Sequence, residues 1–503
     1  MPMNHATMTG NNREMTSMIL EQVRMEASAK LDQKRRGELG QFMTPSSIAR
    51  FMADLFLPNP LNSAYLLDPG AGVGSLSAAF LDRCISGELR FNQVNITAYE
   101  IDDILREHLS QTFVDYSTRI HLNTQILSDD FIENAVEQIK AGNPQRFTHV
   151  ILNPPYKKIS GNSQHRLLLR QAGIETVNLY SAFLALSITL LAPDGQLVAI
   201  IPRSFCNGPY YRPFRKFLLE RAVIRHIHLF ESRSKAFKDD NVLQENIILA
   251  LGRGNAQGNV TISTSNDDSF SDFSAHVYPF EQIVSSHDAD CFIHVPSSPE
   301  ANTVDISPAI CNSLDDLDIR VSTGPVVDFR LKDQIRQVHE LGDVPLLCPG
   351  HFIGLTTEWP KMGKKIPNAI CHNANTEKWL YPIGFYCVVR RFSSKEERHR
   401  IMASVVEPET FPNTKMIGFE NHLNVFHENK KGLPETLARG LAIFLNSTIV
   451  DKQFRRFNGH TQVNATDLRA MKYPSRLQLQ KLGTKIQDKV MDQDMIDQLV
   501  GEL

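Results

Sequence analysis

The sequence predicts an open, doubly wound α/β sheet followed by a C-terminal region of mixed α+β character. Three observations point there. Between about Gly40 and Gly254, short apolar runs alternate with helical patterns, the rhythm of a sheet built from βα units. Within it, the apolar run Tyr65-Leu66-Leu67-Asp68 passes through Pro69-Gly70-Ala71-Gly72-Val73-Gly74 into the helical pattern Ser75–Leu81. Four successive strand ends then carry polar residues, Asp68, Glu100, Asp130 and Asn153. Doubly wound sheets bind ligands at these carboxyl ends.

In chain order, residues 1–13 are expected to be disordered, and a helix is expected from about Glu14 to Arg36, with Met18, Val23 and Leu31 on a partial apolar face. Gly40-Gln41-Phe42-Met43-Thr44-Pro45 leads into the helical run Ile48–Ala53. Glycines in the turn after Asp68 allow positive φ and let a ligand approach the backbone closely. Their G-x-G-x-G spacing differs from the G-x-G-x-x-G of dinucleotide sites and suits an adenosyl ligand without a pyrophosphate. Asn95–Tyr99 is a strand ending on Glu100, with Asp102 close behind, and a carboxylate there is placed to accept ribose hydroxyls. Gln125–Phe131 forms a third strand tip, bearing Asp130 and an aromatic.

The run His149–Leu152 ends on Asn153-Pro154-Pro155-Tyr156. An exocyclic aromatic amine is a poor nucleophile because its lone pair is delocalised into the ring. The Asn153 side-chain oxygen and the Pro154 carbonyl could accept both amine hydrogens and turn that lone pair outward. Two prolines stiffen the loop, and Tyr156 offers a flat face to a planar substrate. Taken alone, the tetrapeptide also reads as a proline-stopped strand end, and the glycine turn as structural. Further on, a helix is expected at Leu179–Leu186, a turn at Pro193-Asp194-Gly195 and a buried strand at Gln196–Ile201. The polar stretch Gly252–Ser274 reads as a domain boundary or a long connection. The expected domains are an N-terminal extension (1–39), a catalytic domain (40–255) and a C-terminal domain (275–503).

With 503 residues, 42% hydrophobic and 22% charged, the chain has the composition of a globular protein of two or three domains. A net charge of −3 directs attention to local basic clusters: Lys34–Arg36, Lys157-Lys158, Lys361 with Lys364-Lys365, Arg390-Arg391 and Arg455-Arg456. Seven scattered cysteines without a C-x-x-C pair indicate neither a disulfide framework nor a zinc site, so no metal is expected and the setting is reducing and cytoplasmic. None of these cysteines follows a proline, which removes the Pro-Cys nucleophile of a C5-cytosine enzyme. The polar N-terminus and the lack of a long apolar stretch lead us to expect neither secretion nor membrane spanning.

The order of these motifs resembles that of the N6-adenine DNA methyltransferases of type II restriction–modification systems, in which the cofactor motifs precede the catalytic tetrapeptide and a target-recognition domain comes last. The resemblance implies a Rossmann-like class I S-adenosylmethionine-dependent methyltransferase fold and a prokaryotic cytoplasmic setting. It assigns Thr44, Pro45, Asp68, Gly70 and Gly72 to S-adenosylmethionine, Glu100 to its ribose, and Asp130 with Phe131 to its adenine. In the catalytic loop of Asn153, Pro154, Pro155 and Tyr156, the first two would hold the target amine and Tyr156 would stack on a flipped base. Phe237, in the segment Lys235–Lys238, would cover the base's other face, and Lys157 and Lys158 would meet its phosphates. Met43 stands where an aromatic is often found. Tyr386–Glu397 and Gly459–Leu468 resemble segments of a subgroup that modifies CTGCAG. Double-stranded DNA is the implied partner, with a cognate restriction endonuclease acting on the same site and the methyltransferase acting as a monomer.

Two other readings remain open at this stage. The same loop serves enzymes that methylate RNA or a protein glutamine. A DNA-binding specificity protein could also retain an inactive cofactor domain. Base-contact candidates in the C-terminal half, Glu420–Asn424 and His460–Gln462, rest on residue type alone.

Overall fold

The structure is a computed structural model that describes residues 21–27, 43–230, 245–254, 256–285, 288, 290–296, 307, 309–361, 366–393, 397–411, 414–457, 462–485 and 491–503. Of the expected N-terminal helix, residues 21–27 are described and are helical. The chain forms two compact units, Met1–Ser297 and Ser298–Leu503.

In the first unit the alternation seen in the sequence becomes α1 (Ser46–Asp54), β1 (Ser63–Pro69), α2 (Ser75–Ile85), β2 (Gln93–Tyr99), α3 (Asp103–Ser117), β3 (Leu122–Leu127), α4 (Phe131–Lys140) and β4 (Phe147–Leu152). These are followed by α5 (Gln164–Gln171), α6 (Leu179–Leu190), β5 (Leu191–Pro202), α7 (Arg212–Arg221), β6 (Val223–Phe230), β7 (Asn246–Gly252), β8 (Val260–Ser265) and β9 (Ser274–Tyr278). One nine-stranded sheet results, in the order β3-β2-β1-β4-β5-β7-β6-β8-β9. Strands β1 to β5 pair in parallel, while β7 runs antiparallel to both neighbours.

Apolar residues fill both faces of the sheet. Ile48, Met52, Leu76, Phe80, Leu109 and Phe113 of α1 to α3 pack on one face. On the other lie Ile132 and Val136 of α4, Leu184 and Ile188 of α6, and Phe214 of α7. Helix α6 is buried along nearly its whole length, which explains its almost uninterrupted apolar sequence. The C-terminal end of α1 is closed by buried Arg83, whose guanidinium donates to the carbonyls of Ala53 and Phe56, both at 2.7 Å.

Two expectations need correction. Gly252–Ser274 is not a boundary: β8 lies inside it, pairs in parallel with β6, and extends the sheet through β9, so the first compact unit runs on to Ser297. The turn at Pro193–Gly195 lies within β5, where pairing with β4 jumps from Phe147↔Leu191 to His149↔Gln196 and Asp194 takes φ 56°. Turn-forming residues here build an irregularity inside a strand.

In the second unit, a four-stranded antiparallel sheet runs Arg320–Thr323, Leu423–His427, Tyr386–Arg390, Ala403–Val406. A five-stranded mixed sheet contains Asp343–Leu347 and Met416–Phe419, paired in parallel. Helices Glu435–Leu445 and Arg476–Gly483 meet backbone to backbone at Gly440 and Gly483.

Candidate active site

Because β1 lies between β2 and β4, the chain winds outward through β2 and β3, then resumes at β4 on the other side of β1. The gap between the carboxyl ends of β1 and β4 is therefore the switch point, where a doubly wound sheet opens to ligands. The glycine turn follows β1 and the Asn153 loop follows β4. A Cβ added at Gly70 would stand 3.9 Å from the Asn153 carbonyl oxygen, so the two motifs are adjacent.

Gly70, Gly72 and Gly74 take φ of 85°, 58° and 89°, a region that L side chains rarely adopt. The amides of Gly70 and Ala71 both donate to the Tyr99 carbonyl at 2.9 Å, tying the turn to the end of β2. At Gly74 a Cβ would meet Leu109 Cδ1 at 2.8 Å, which adds a steric requirement for glycine.

Glu100 follows β2 and is buried. Its carboxylate accepts from the amides of Gly72 at 2.9 Å and Asp102 at 2.8 Å. Burial pushes its pKa up against the pull of those two amides. A carboxylate offers about four lone-pair sites, so acceptor capacity remains for a ligand hydroxyl. Asp102 is the N-cap of α3, accepting from Ile104 and Leu105.

Asp130 is likewise an N-cap, of α4: its Oδ1 accepts from Ile132 at 2.8 Å and Glu133 at 3.1 Å. Its Oδ2 lies 3.1 Å from His165 Nε2. Burial acts to raise the Asp130 carboxyl, but the His165 contact and the helix amides prevail and hold it below its usual range. Reciprocally, the hydrogen bond to Asp130 raises the His165 pKa against partial burial.

In the loop after β4, Asn153 is held from both ends. Its Nδ2 donates to Thr44 Oγ1 at 3.0 Å, and its Oδ1 accepts from the Tyr156 hydroxyl at 2.9 Å. That hydroxyl also lies 3.3 Å from the Ile200 carbonyl. The Tyr156 ring meets Tyr180 edge to face at 6.4 Å, and burial drives its hydroxyl pKa upward. The polar end of Tyr156 is thus anchored, and its half-buried ring packs against Tyr180. The Leu179 amide donates to the Lys157 carbonyl and the Ile159 amide to that of Val177, both at 2.8 Å, pinning the loop's far end.

These elements surround one cavity of about 430 Å³. Thr44, Gly70, Gly72 and Glu100 line it, as do Asp130 and Phe131, together with Asn153, Pro155, Lys157 and Lys158. Pro45, Asp68, Pro154 and Tyr156 do not. Pro45 caps α1, and Pro154 is buried. Asp68 is fully buried, and its Oδ2 accepts from the Ser77 hydroxyl at 2.6 Å. Its Oδ1 has no hydrogen-bond partner among the described residues. Burial pushes its pKa up to about 7, with the Glu100 charge adding to the effect. Met43 also lines the cavity, and its Cγ would be 3.8 Å from a Cβ at Gly72. Phe237, Gly40–Phe42 and Lys235–Lys238 lie outside the described residues. The sequence motifs gave no sign of His165, a half-buried residue of α5 that also lines the cavity.

Among the basic clusters, Lys157 and Lys158 are exposed at the cavity. Arg455 is committed to Asp451 at 2.6 Å. Lys34–Arg36 and Lys364-Lys365 fall outside the described residues. Of the C-terminal candidates, Asn424 is fully buried and donates to the Val463 carbonyl at 2.6 Å, which makes it structural. His460 and Thr461 are outside the described residues.

A parallel sheet of this strand order, with reversed β7 and a glycine turn and acidic strand tips at the switch point, defines a class I S-adenosylmethionine-dependent methyltransferase fold. Residues 44–237 match the Eco57I restriction-modification methylase family. The chain is 54% identical over 478 residues to the type II methyltransferase M.BsuBI of Bacillus subtilis, covering 93% of this chain and 95% of that protein. It is 41% identical over 495 residues to the type II methyltransferase M.PstI of Providencia stuartii, covering 97% of each. Among solved structures, it shares its fold with the type IIL restriction-modification enzyme MmeI in complex with DNA. That match has a TM-score of 0.53 and 13% identity, over 86% of this chain and 68% of that one. The chain belongs to the type II restriction–modification methyltransferases, and this membership supports a role as a DNA methyltransferase.

Proposed function

We propose that this enzyme transfers the methyl group of S-adenosylmethionine to N6 of an adenine in a specific duplex DNA sequence, protecting that sequence from a cognate restriction endonuclease. One observation carries the reading: the Asn153 amide, fixed by Thr44 and Tyr156, opens on the same cavity as the glycine turn, Glu100 and Asp130. Family resemblance supports CTGCAG as the sequence and the bacterial cytoplasm as the setting.

The donor set fits the cofactor. Gly70 and Gly72 leave room at the turn, Glu100 retains acceptor capacity for ribose hydroxyls, and Asp130 with Phe131 offers an acceptor and an apolar surface to adenine. Asp68 accounts for its buried position by holding the start of α2 through Ser77, and its assignment to the cofactor becomes indirect. When bound, S-adenosylmethionine supplies an electrophilic methyl group on a sulfonium sulfur. Asn153 Oδ1 and the Pro154 carbonyl accept the two amine hydrogens and direct the nitrogen lone pair toward that methyl group. The methylated nitrogen then loses its extra proton readily, so no His or Lys is assigned as a base. Extruding the target nucleotide costs roughly a few kcal/mol. Stacking on the Tyr156 ring offsets part of that, at ~1 to 3 kcal/mol per base. Lys157 and Lys158, exposed beside this loop, would meet the extruded nucleotide's phosphates.

The test is incubation with tritium-labelled S-adenosylmethionine and unmethylated plasmid, followed by single-molecule sequencing. N6-methyladenine at one recurring sequence is expected. Label that enters RNA or protein from a cell extract, with none in the plasmid, would refute the DNA substrate.

A further inference from the structure

His165 makes a contact that none of the assigned roles explains. It lies on α5, whose start is capped by Ser163 Oγ accepting from the Arg166 amide at 3.3 Å. Lys140 Nζ donates to Gln171 Oε1 at 2.9 Å, tying α4 to the far end of α5. His165 Nε2 is thereby held 3.1 Å from Asp130 Oδ2, and both residues line the cavity.

The carboxylate's acceptor sites can be counted. Oδ1 is engaged by two amides of the first turn of α4. Oδ2 has about two lone-pair sites, and His165 takes one. One acceptor position remains on Oδ2, beside Phe131. If the imidazole were absent, Oδ2 would keep two sites and could meet the amine hydrogen or a water in more than one geometry. Glu133 adds a second negative charge near the imidazole. Lys157 and Lys158 line the same cavity.

We propose that His165 is a positioning residue for cofactor recognition: by occupying one lone pair of Asp130 Oδ2, it orients the carboxylate to take the exocyclic amine of the cofactor's adenine. This rests on the reading of Asp130 as the adenine acceptor. His165 touches no reacting atom, and its effect is on affinity for the adenosyl group.

The test uses calorimetric titration of the full chain with S-adenosylhomocysteine and with its 6-deamino (purine riboside) analogue. His165→Ala is expected to weaken S-adenosylhomocysteine binding roughly fivefold, the worth of one partly exposed hydrogen bond. Binding of the deamino analogue should change less than about twofold, because the contact that His165 orients is missing. His165→Gln, which can place an amide N–H near the same point, should restore most of the loss. Equal weakening of both ligands, or no weakening of either, would overturn the proposal. If the wild-type chain bound neither ligand, the cofactor reading itself would fail, and this proposal with it. Ligand-free melting temperatures of both variants matching the wild type would show that the losses do not come from unfolding.

Discussion

Thr44 was assigned to the cofactor by resemblance, but its hydroxyl is the partner of the Asn153 amide nitrogen at 3.0 Å, and this separates two accounts of what it does. Thr44→Val keeps the side-chain shape and removes one anchor of Asn153 while the Tyr156 hydroxyl at 2.9 Å stays in place. A neutral hydrogen bond contributes about 0.5–1.5 kcal/mol net, so single-turnover methyl transfer at saturating DNA and cofactor should slow about 2- to 13-fold. Asn153→Ala removes the preorganised acceptor itself and should slow the same step by about 10² to 10³, with cofactor affinity nearly unchanged. The decisive measurement is the double variant. If Thr44 acts by orienting Asn153, adding Thr44→Val to Asn153→Ala should cost nothing further, a coupling of about 1 kcal/mol. Should Thr44→Val slow the reaction by the same factor in both backgrounds, Thr44 acts independently of Asn153 and the reasoning from the hydrogen bond is wrong.

In the first unit, acid lability should come from the buried His149 and His228 and the half-buried His226. Burial drives His149 and His228 down to about 3 and His226 to about 4, from an ordinary 6.5. The folded state holds them neutral, so their contribution is complete above about pH 6.5. It is lost as the pH falls toward those depressed values, at up to roughly 1.4 kcal/mol per pH unit for each group. Asp68, raised to about 7, works in the opposite direction, because its burial disfavours the folded state as pH rises from 3.8 toward 7. His149→Phe, placed among Phe56, Phe80 and Phe91, should therefore flatten the decline of urea stability below pH 6.5, and an unchanged slope would refute the assignment. In the second unit, Gly440→Ala would put a Cβ 1.8 Å from the Leu479 carbonyl oxygen, so thermal melting should show a loss of about 3 kcal/mol or more. Gly501→Ala, with nothing within 4 Å of its Cβ, is the matched control and should melt nearly as wild type.

The stations that could be read from sequence share one property: each is local. A buried strand, a turn that needs positive φ, and a carboxylate at a strand tip all lie within a few residues, so Gly70–Gly74, Asp102, Asp130 and Asn153 could be found without knowing what faces them. What was not legible depends on contacts between distant segments. The Thr44–Asn153 bond spans 109 residues, and the Asp130–His165 contact spans 35 with no motif around His165. Likewise, β8 adds to the sheet beside β6, a partner that composition does not reveal, so the Gly- and Asn-rich sequence around it resembled a linker. Asp68 was read correctly as a strand-end carboxylate, but its burial and its bond to Ser77 depend on how α2 folds back over the turn.

The site's two sides differ in how tightly they are held, and this matches what the proposed reaction asks of each. The loop after β4 is pinned at Asn153 by Thr44 and Tyr156, at Lys157 and Ile159 by the segment preceding α6, and at Tyr156 by β5. A weakly nucleophilic amine gains reactivity only from acceptors already in place, so freedom here would cost rate directly. Asp130 and His165, by contrast, are half-exposed on helix ends, where a lost contact can be replaced by water. Changes on the pinned side should therefore appear in the methyl-transfer step, and changes on the Asp130 side in cofactor affinity. Because Thr44 acts through its bond to Asn153 and His165 through its contact with Asp130, Thr44→Val and His165→Ala should combine additively in transition-state free energy. Strong coupling between them would mean that the cavity responds as one unit, and that rate and affinity cannot be assigned to separate walls.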